Sequence, residues 1–478
     1  MKNLIANNWV DASSGETIDV FNPYSNRLID KIPSSAYEDI NECVKVSHEV
    51  KDLWAKTSIY DRSLIIEKFS LAVKNRIDEL ANTLTRETGK PIKESYEELN
   101  RFLAIVPAYI EKARHMYSNF IPAGLGKEEE HTVQTTTRNP IGVVAVFIPS
   151  NSPVLTFAHK VPASLLMGNT VIIKPSSKAP LTITKLTYLL RNVGIPTGVV
   201  QIVQGLGNKT GQALASHPDI QLISFTGSTV AGMKVMQQAS QNLTRVILEL
   251  GGNDASIICE DADLELAVKE IIKGRMYNSG QEANSSKRVI VHAEIKEKFI
   301  NLLLKEIALL KVGSPTHHET NVSCLISLEA AEKVEAQVNK LVEEGARLLC
   351  GGQRVNTVYY PTVLSDIAPS MGIANNLELL GPVIPILSFT SLNNAVDLVN
   401  NSPYGLSAAI FTKDLKTAFK VASELEVGTV IINGRTTYRS NDMPFGGWKY
   451  SGFGTEGVAS TLEQLSLVKV TVLKDVLK

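Results

Sequence analysis

The sequence predicts an α/β fold built on open, mostly parallel sheets flanked by helices. Two observations carry this reading. From residue 141, short β-branched runs alternate with helical stretches, and after "VILELGG" the alternation begins again. The length, 478 residues, exceeds what one hydrophobic core serves, so two or three domains are expected.

Residues 36–116 read as helices, because "YEDINECVKVSHEVKDLWA" and "RSLIIEKFSLAVKNRIDELANTLTRET" repeat apolar residues every three to four positions. Gly89-Lys90-Pro91 punctuates before the next helix, "KESYEELNRFLAIVPAYIEKARHMY". Then "GVVAVFI" precedes a helix near 156–167, "NTVIIKP" precedes "TITKLTYLLRNV", and "GVVQIVQG" precedes "NKTGQALASH". "IQLISFTG" leads into a helix after Ser228. The second unit, 248–432, runs from "ASIICE" through "SKRVIVH" and "VIPILSF" to "LSAAIFT". Two segments fit neither: polar, β-leaning 121–140, and the tail, where Val468, Val470 and Val472 alternate as in a half-buried strand. Pattern alone leaves open whether that tail pairs within its chain or with a neighbour.

Composition narrows the class. A net charge of −1 argues against an electrostatic grip on nucleic acid or anionic lipid. No apolar run of 18 residues offers a membrane span, and "MKNLIANNWV" has no secretory core. The four cysteines, Cys43, Cys259, Cys324 and Cys350, lie far apart without metal-ligand spacing. No metal site is expected, and a reducing, cytoplasmic setting fits best.

Three motifs carry chemistry. "SFTGSTVAG" puts Gly227 and Ser228 at a strand end that opens a helix, where free N–H groups suit a phosphate. It is not a GxGxxG fingerprint, and an ordinary strand-to-helix turn fits equally well. "IIKPSSKAP" ends a strand with Lys174, within reach of ribose hydroxyls at the sheet's carboxyl edge; a solvated lysine is the plainer reading. "LELGG" sets Glu249 between Leu248 and Leu250, where desolvation would raise its pKa toward that of a general base. An exposed edge-strand charge is the alternative.

In order and spacing, "NPIGVVAVFIPSNSP", "KPSSKAP", "SFTGS", "LELGG", "NSGQ", "LLGPV" and "NDMPFGGWKYSGFG" resemble the aldehyde dehydrogenase superfamily across residues 8–470. Within it the chain is most similar to the lactaldehyde, glyceraldehyde and semialdehyde enzymes. The resemblance implies oxidation of a small polar aldehyde, with NAD or NADP as cofactor. It also implies roles. Asn151 would donate to an oxyanion, Glu249 would serve as base, Lys174 would hold the adenosine ribose, Ser228 a pyrophosphate oxygen, and Glu378 the nicotinamide ribose. Arg101, His159 and Arg439 are nominated as anchors for an acidic or hydroxylated substrate, each with a structural or surface role as the plainer reading.

This sequence departs from the family pattern at three positions. Leu380 replaces the usual phenylalanine beside the nicotinamide, and Ser177 stands where NAD-preferring members carry a glutamate. The third is in "NSGQEANSSKR": the catalytic cysteine's position is Ala283. None of the four cysteines is close in sequence. Either a cysteine was replaced by alanine, which the retained Asn151 and Glu249 favour, or the chain is a natural inactive relative that binds dinucleotide or serves as a structural oligomer.

The expected organisation has a discontinuous Rossmann-like cofactor domain (1–120, 141–247 and 433–458) and a catalytic domain (248–432). An oligomerisation arm (121–140 and 459–478) would pair between subunits in a homodimer or homotetramer, as the resemblance implies.

Overall fold

Two large sheets organise the chain in a computed structural model that describes residues 1–116 and 118–477. The first orders its strands Asn8–Val10, Asn3–Ile5, Val200–Ile202, Thr170–Pro175, Val143–Ile148, Leu222–Thr226, Arg245–Glu249 and Gly452–Phe453. Its five central strands are parallel, while the outer strands join antiparallel. The run "VVAVFI" explains the centre: all six of its residues are buried, as a strand covered on both faces requires. The chain turns back on itself at this strand. Successive strands leave it on one side through 170–175 and 200–202, and on the other through 222–226 and 245–249. Ligands of open α/β sheets bind at the carboxyl ends beside such a reversal.

The second sheet runs Arg347–Cys350, Thr362–Ser365, Val383–Phe389, Arg288–His292, Ala255–Ile258, Ser407–Phe411 and Thr429–Ile432. It is parallel except at Arg347–Cys350. Segment 433–458 joins the first sheet and forms a small two-stranded sheet beside the second. Trp448–Lys449 pairs with Tyr404–Gly405, and Gly452–Phe453 pairs with Arg245–Glu249.

Four helices, α1 (Tyr37–Lys56), α2 (Ile59–Lys74), α3 (Ile77–Thr88) and α4 (Ile92–Arg114), precede the first parallel strand. Gly89, at φ +77°, ends α3, and Ser58 caps α2 by accepting from Asp61 N. Helix α5 (Pro153–Leu166) begins at the reversal. Its first N–H groups, Val154 and Leu155, donate to the buried carboxylate of Glu98 at 2.8 and 3.0 Å, and Glu98 pairs with Lys90. That carboxylate satisfies donors that no helical carbonyl can reach. Trp54, Phe69, Phe102 and Phe157 fill the core between α1, α2, α4 and α5. Among the described residues, no helix is long and apolar enough to cross a membrane.

The arm answers one question that the pattern left open and corrects one expectation. Its segments pair with each other inside one chain, Ser466–Leu473 antiparallel to Val133–Pro140 over eight positions. The outer side of Ser466–Leu473 is a free edge of this three-stranded sheet, opposite the short edge strand Phe120–Ile121. This strand is also not half-buried: from Val468 to Leu473 every residue is exposed, because none of the described residues covers either face.

Candidate active site

The loop carrying Ala283 is held at nearly every residue. Asn278, Ser279 and Gly280 take φ values of +50°, +53° and +79°. Positive φ costs a non-glycine residue about 1 kcal/mol or more, so the surroundings must enforce it. Asn278 N donates to Glu94 (2.7 Å), and the Ser279 hydroxyl accepts from Ser323 N (2.9 Å). Gln281 Oε1 accepts from Ile326 N at 2.9 Å. At Gly280 a Cβ would lie 2.1 Å from the Gly381 carbonyl oxygen, so only glycine fits. Beneath the loop, buried Arg275 donates to Ser285 Oγ (2.6 Å), and buried Lys287 donates to the carbonyls of Glu282 and Ala283.

Two cavities meet at this loop, of about 440 and 240 Å³. Asn151, Thr226, Leu250 and Ala283 line both, so the Ala283 methyl stands at the junction. None of the four cysteines lines either one. Burial pushes the thiols of Cys259 and Cys324 up to about 12, which leaves them unreactive.

On the larger cavity, Glu249 ends its strand with both carboxylate oxygens buried and without a hydrogen bond. Burial, reinforced by the charge of Glu456, drives its carboxyl well above the ordinary range against the pull of Lys160 and Arg439. The motif's desolvated carboxylate is therefore found buried, not on an exposed edge. Burial also opposes ionisation of Glu456, but Lys160 at 2.9 Å and Arg439 at 3.2 Å overcome it and hold that carboxyl far down. A neutral acid thus stands beside an ionised one.

Asn151 follows the central strand and aims its amide at Glu282, with Nδ2 to Oε2 at 3.2 Å. The other Glu282 oxygen accepts from Ser152 Oγ (2.9 Å) and Asn278 Nδ2 (3.2 Å). Burial raises the Glu282 carboxyl. Sequence reasoning missed Glu282, Lys160 and Glu456. The one signal for Glu282 was a carboxylate inside a run of small polar residues.

Around the smaller cavity stand Asn151, Gly227, Ser228, Ala283, Glu378 and Leu380. Ser228 caps the helix Thr229–Ala239, accepting from Ala231 N at 3.3 Å. Glu378 accepts from Gly252 N at 3.0 Å, and a Cβ on Gly251 would lie 2.6 Å from its other oxygen. Lys174 and Ser177 do not line this cavity; they sit where the strand Thr170–Pro175 ends. Burial pushes Lys174 down to about 8, and its ammonium donates only to the Pro175 carbonyl, at 3.0 Å. A buried ammonium with donors to spare, an open helix end and a carboxylate over a glycine pair fit a dinucleotide's ribose hydroxyls and phosphates.

Arg101, His159 and Arg439 all line the larger cavity, in different states. His159 is 1% exposed and hydrogen-bonds Tyr109 Oη through Nδ1 at 2.9 Å. Burial holds its imidazole well below the ordinary value, so the ring is neutral. Arg439 is bound to Glu456 and lies over the Phe445 ring, 4.5 Å from its centre. Arg101 is half-buried.

Residues 9–471 match the model of the aldehyde dehydrogenase family. A lactaldehyde dehydrogenase of Methanococcus aeolicus is 36% identical over 474 residues, covering 98% of this chain and 99% of that protein. A 3-sulfolactaldehyde dehydrogenase of Priestia aryabhattai is 34% identical, covering 96% of each chain. Among solved structures, an NAD-dependent aldehyde dehydrogenase from Sinorhizobium meliloti superposes with a TM-score of 0.95 at 31% identity, over 99% of this chain and 95% of its own. A betaine aldehyde dehydrogenase from Staphylococcus aureus, in complex with NAD+, gives 0.95 at 29% identity, over 100% and 95%.

Proposed function

Because this chain belongs to the aldehyde dehydrogenase family, we propose that its site is built to oxidise a small polar aldehyde, a hydroxyaldehyde or semialdehyde, to the carboxylic acid with NAD+ or NADP+. The observation that carries this is the Ala283 methyl at the junction of the two cavities, with Asn151 beside it and Glu249 on the wall. A bound nicotinamide supplies the acceptor for the aldehyde's hydride. Lys174, Ser228 and Glu378 would hold that cofactor on the smaller-cavity side. The chain's own residues supply the rest. Glu249 takes a proton, Asn151 donates toward the oxygen that becomes negative, and the loop fixes where the reacting carbon sits.

The attacking atom is the missing part. We read Ala283 as the replacement of a catalytic cysteine that would form the thiohemiacetal and thioester. The intact loop and the retained Asn151 and Glu249 support this. A natural inactive relative, binding dinucleotide or acting as a structural oligomer, is the second reading, and one observation favours it: Glu282 already occupies the Asn151 amide. The deciding experiment is Ala283→Cys with NAD(P)H formation followed on short hydroxyaldehydes and semialdehydes. Turnover from almost nothing supports the replacement; silence on a broad panel with intact cofactor binding supports the inactive relative.

We assign cofactor binding to 1–120, 141–247 and 433–458, and the catalytic domain to 248–432. The arm formed by 121–140 and 459–478 would join subunits as a homodimer or homotetramer. Four unpaired cysteines fit a reducing, cytoplasmic setting.

A further inference from the structure

The charged groups around the larger cavity are mostly spoken for. Arg439 is bound to Glu456 and Arg435 to Glu270. Glu94 and Glu282 accept hydrogen bonds from the loop and from α5's entry. Glu249 is buried, with its neutral form favoured. Three cations on the lining form no ion pair or hydrogen bond among the described residues: Lys93, Arg101 and Lys273. Lys93 and Lys273 are exposed and solvated at little cost, whereas Arg101 is half-buried.

Arg101 lies on α4 one turn beyond Glu97 and two beyond Lys93, the spacing of a single helix face, and all three line the cavity. Glu97 is exposed and forms no ion pair with either cation. Arg101 and His159 line the same cavity, and after burial the Arg101 charge is one of several that disfavour protonation of that ring. A guanidinium has five donors and no acceptor, and removing it from water is unfavourable unless an anion meets it.

We infer that Arg101 anchors an oxyanionic tail, so the aldehyde taken here carries a carboxylate or sulfonate at its far end. The inference rests on the aldehyde-oxidising reading above. The fork of the guanidinium matches either group with two parallel hydrogen bonds. Lys93 and Lys273 add positive charge that draws such a molecule inward. Neither His159 nor Arg439 can do this work, the first being neutral and the second already neutralised.

The chain as it exists is suited to the test, because without a thiol it holds ligands unreacted. Succinate, sulfopropanoate and butanoate are titrated by calorimetry into the Ala283 chain and into Arg101→Gln, with NAD+ binding as the check on folding. We expect both doubly charged acids to bind about tenfold or more tightly than butanoate, and Arg101→Gln to remove the difference. If Arg101→Gln fails to bind NAD+, Arg101→Lys replaces it; a charge without the fork should reduce the preference. Equal binding of the three acids overturns the inference, as does a preference undiminished in the variant. On the Ala283→Cys background, Arg101→Gln should lower kcat/KM for succinic semialdehyde about tenfold relative to lactaldehyde. Turnover of uncharged aldehydes with no gain for semialdehydes would sink the Arg101 anchor alone. A tail preference in binding, with no turnover on any aldehyde, would sink the oxidation reading and leave the anchor standing.

Discussion

The Asn151 carboxamide donates to the Glu282 carboxylate at 3.2 Å. The amide that the proposed function gives an oxyanion is thus facing a carboxylate. Negative charge at that spot disfavours a second negative charge on a substrate oxygen, and it disfavours a thiolate at position 283. In the Ala283→Cys protein, Glu282→Gln should therefore raise kcat, by about tenfold. The glutamine keeps an acceptor for Ser152 while removing the charge. A lower kcat would show instead that the carboxylate positions Asn151 for its work.

Glu249 sets a pH dependence. Its carboxyl lies well above the ordinary range, and only the deprotonated form accepts a proton. Activity of the Ala283→Cys protein should still be rising with pH above the ordinary carboxylate range. Glu249→Gln should remove most of the activity and flatten what remains of that rise. A pH–rate profile of both proteins decides; identical limbs would exclude Glu249 as the base.

Lys174, proposed to hold the cofactor, carries a cost in stability. Its folded value, about 8, lies below the ordinary 10.5, so the folded state disfavours the charge. That penalty is full below about 8 and fades as pH rises toward 10.5. Lys174→Met should raise Tm at neutral pH, lose that advantage in strong alkali, and weaken NAD+ binding about tenfold. Thermal melts across pH, with and without NAD+, test both halves.

Glu94 gives the opposite window. Burial lifts its carboxyl from 4.5 to about 8, so the native state keeps a proton that the unfolded chain releases between those values. Stability from this group falls as pH rises through that window. Glu94→Gln can still accept from Asn278 N, and it should gain more Tm over the parent at pH 8 than at about pH 5. An equal shift at both would show that the carboxyl is not protonated in the fold.

Ser177 bears on cofactor choice. A glutamate there would repel the extra phosphate of NADP+, whereas serine can donate to it. Lys178, one residue on, adds little positive charge there, because it donates to Ser327 Oγ at 2.8 Å and lies 3.7 Å from Glu329. We expect NADP+ to bind alongside or ahead of NAD+, and Ser177→Glu to shift the ratio toward NAD+ by about tenfold. Calorimetric titration of both cofactors measures it; a tenfold deficit of NADP+ in the parent would refute it.

What could be read ahead of the structure was whatever is local. "VVAVFI" states its own burial, whereas Gly280 is required by the Gly381 carbonyl, which lies far along the chain. The strands Asn3–Ile5 and Asn8–Val10, three residues each, are too short to display a period, so they went unread. The arm's alternation was real, but pattern does not say what covers a face. Glu282 was illegible for another reason. Its meaning comes from Asn151 and Ser152, which are brought to it by a different sheet. The same holds for Lys160 beside Glu456. An unsatisfied Arg101 is visible only when every neighbour is in place.

The clamps on the loop have a consequence for how the protein fares in a cell. Gly280, Arg275 and Lys287 fix the backbone through groups that never involve the side chain at 283. Chaperones and proteases respond to the fraction of molecules unfolded, not to chemistry. A cysteine-to-alanine change at 283 would thus be a lesion that surveillance does not see. A chain without the thiol would accumulate like its intact counterpart and, if copies associate through the arm, enter mixed assemblies unnoticed.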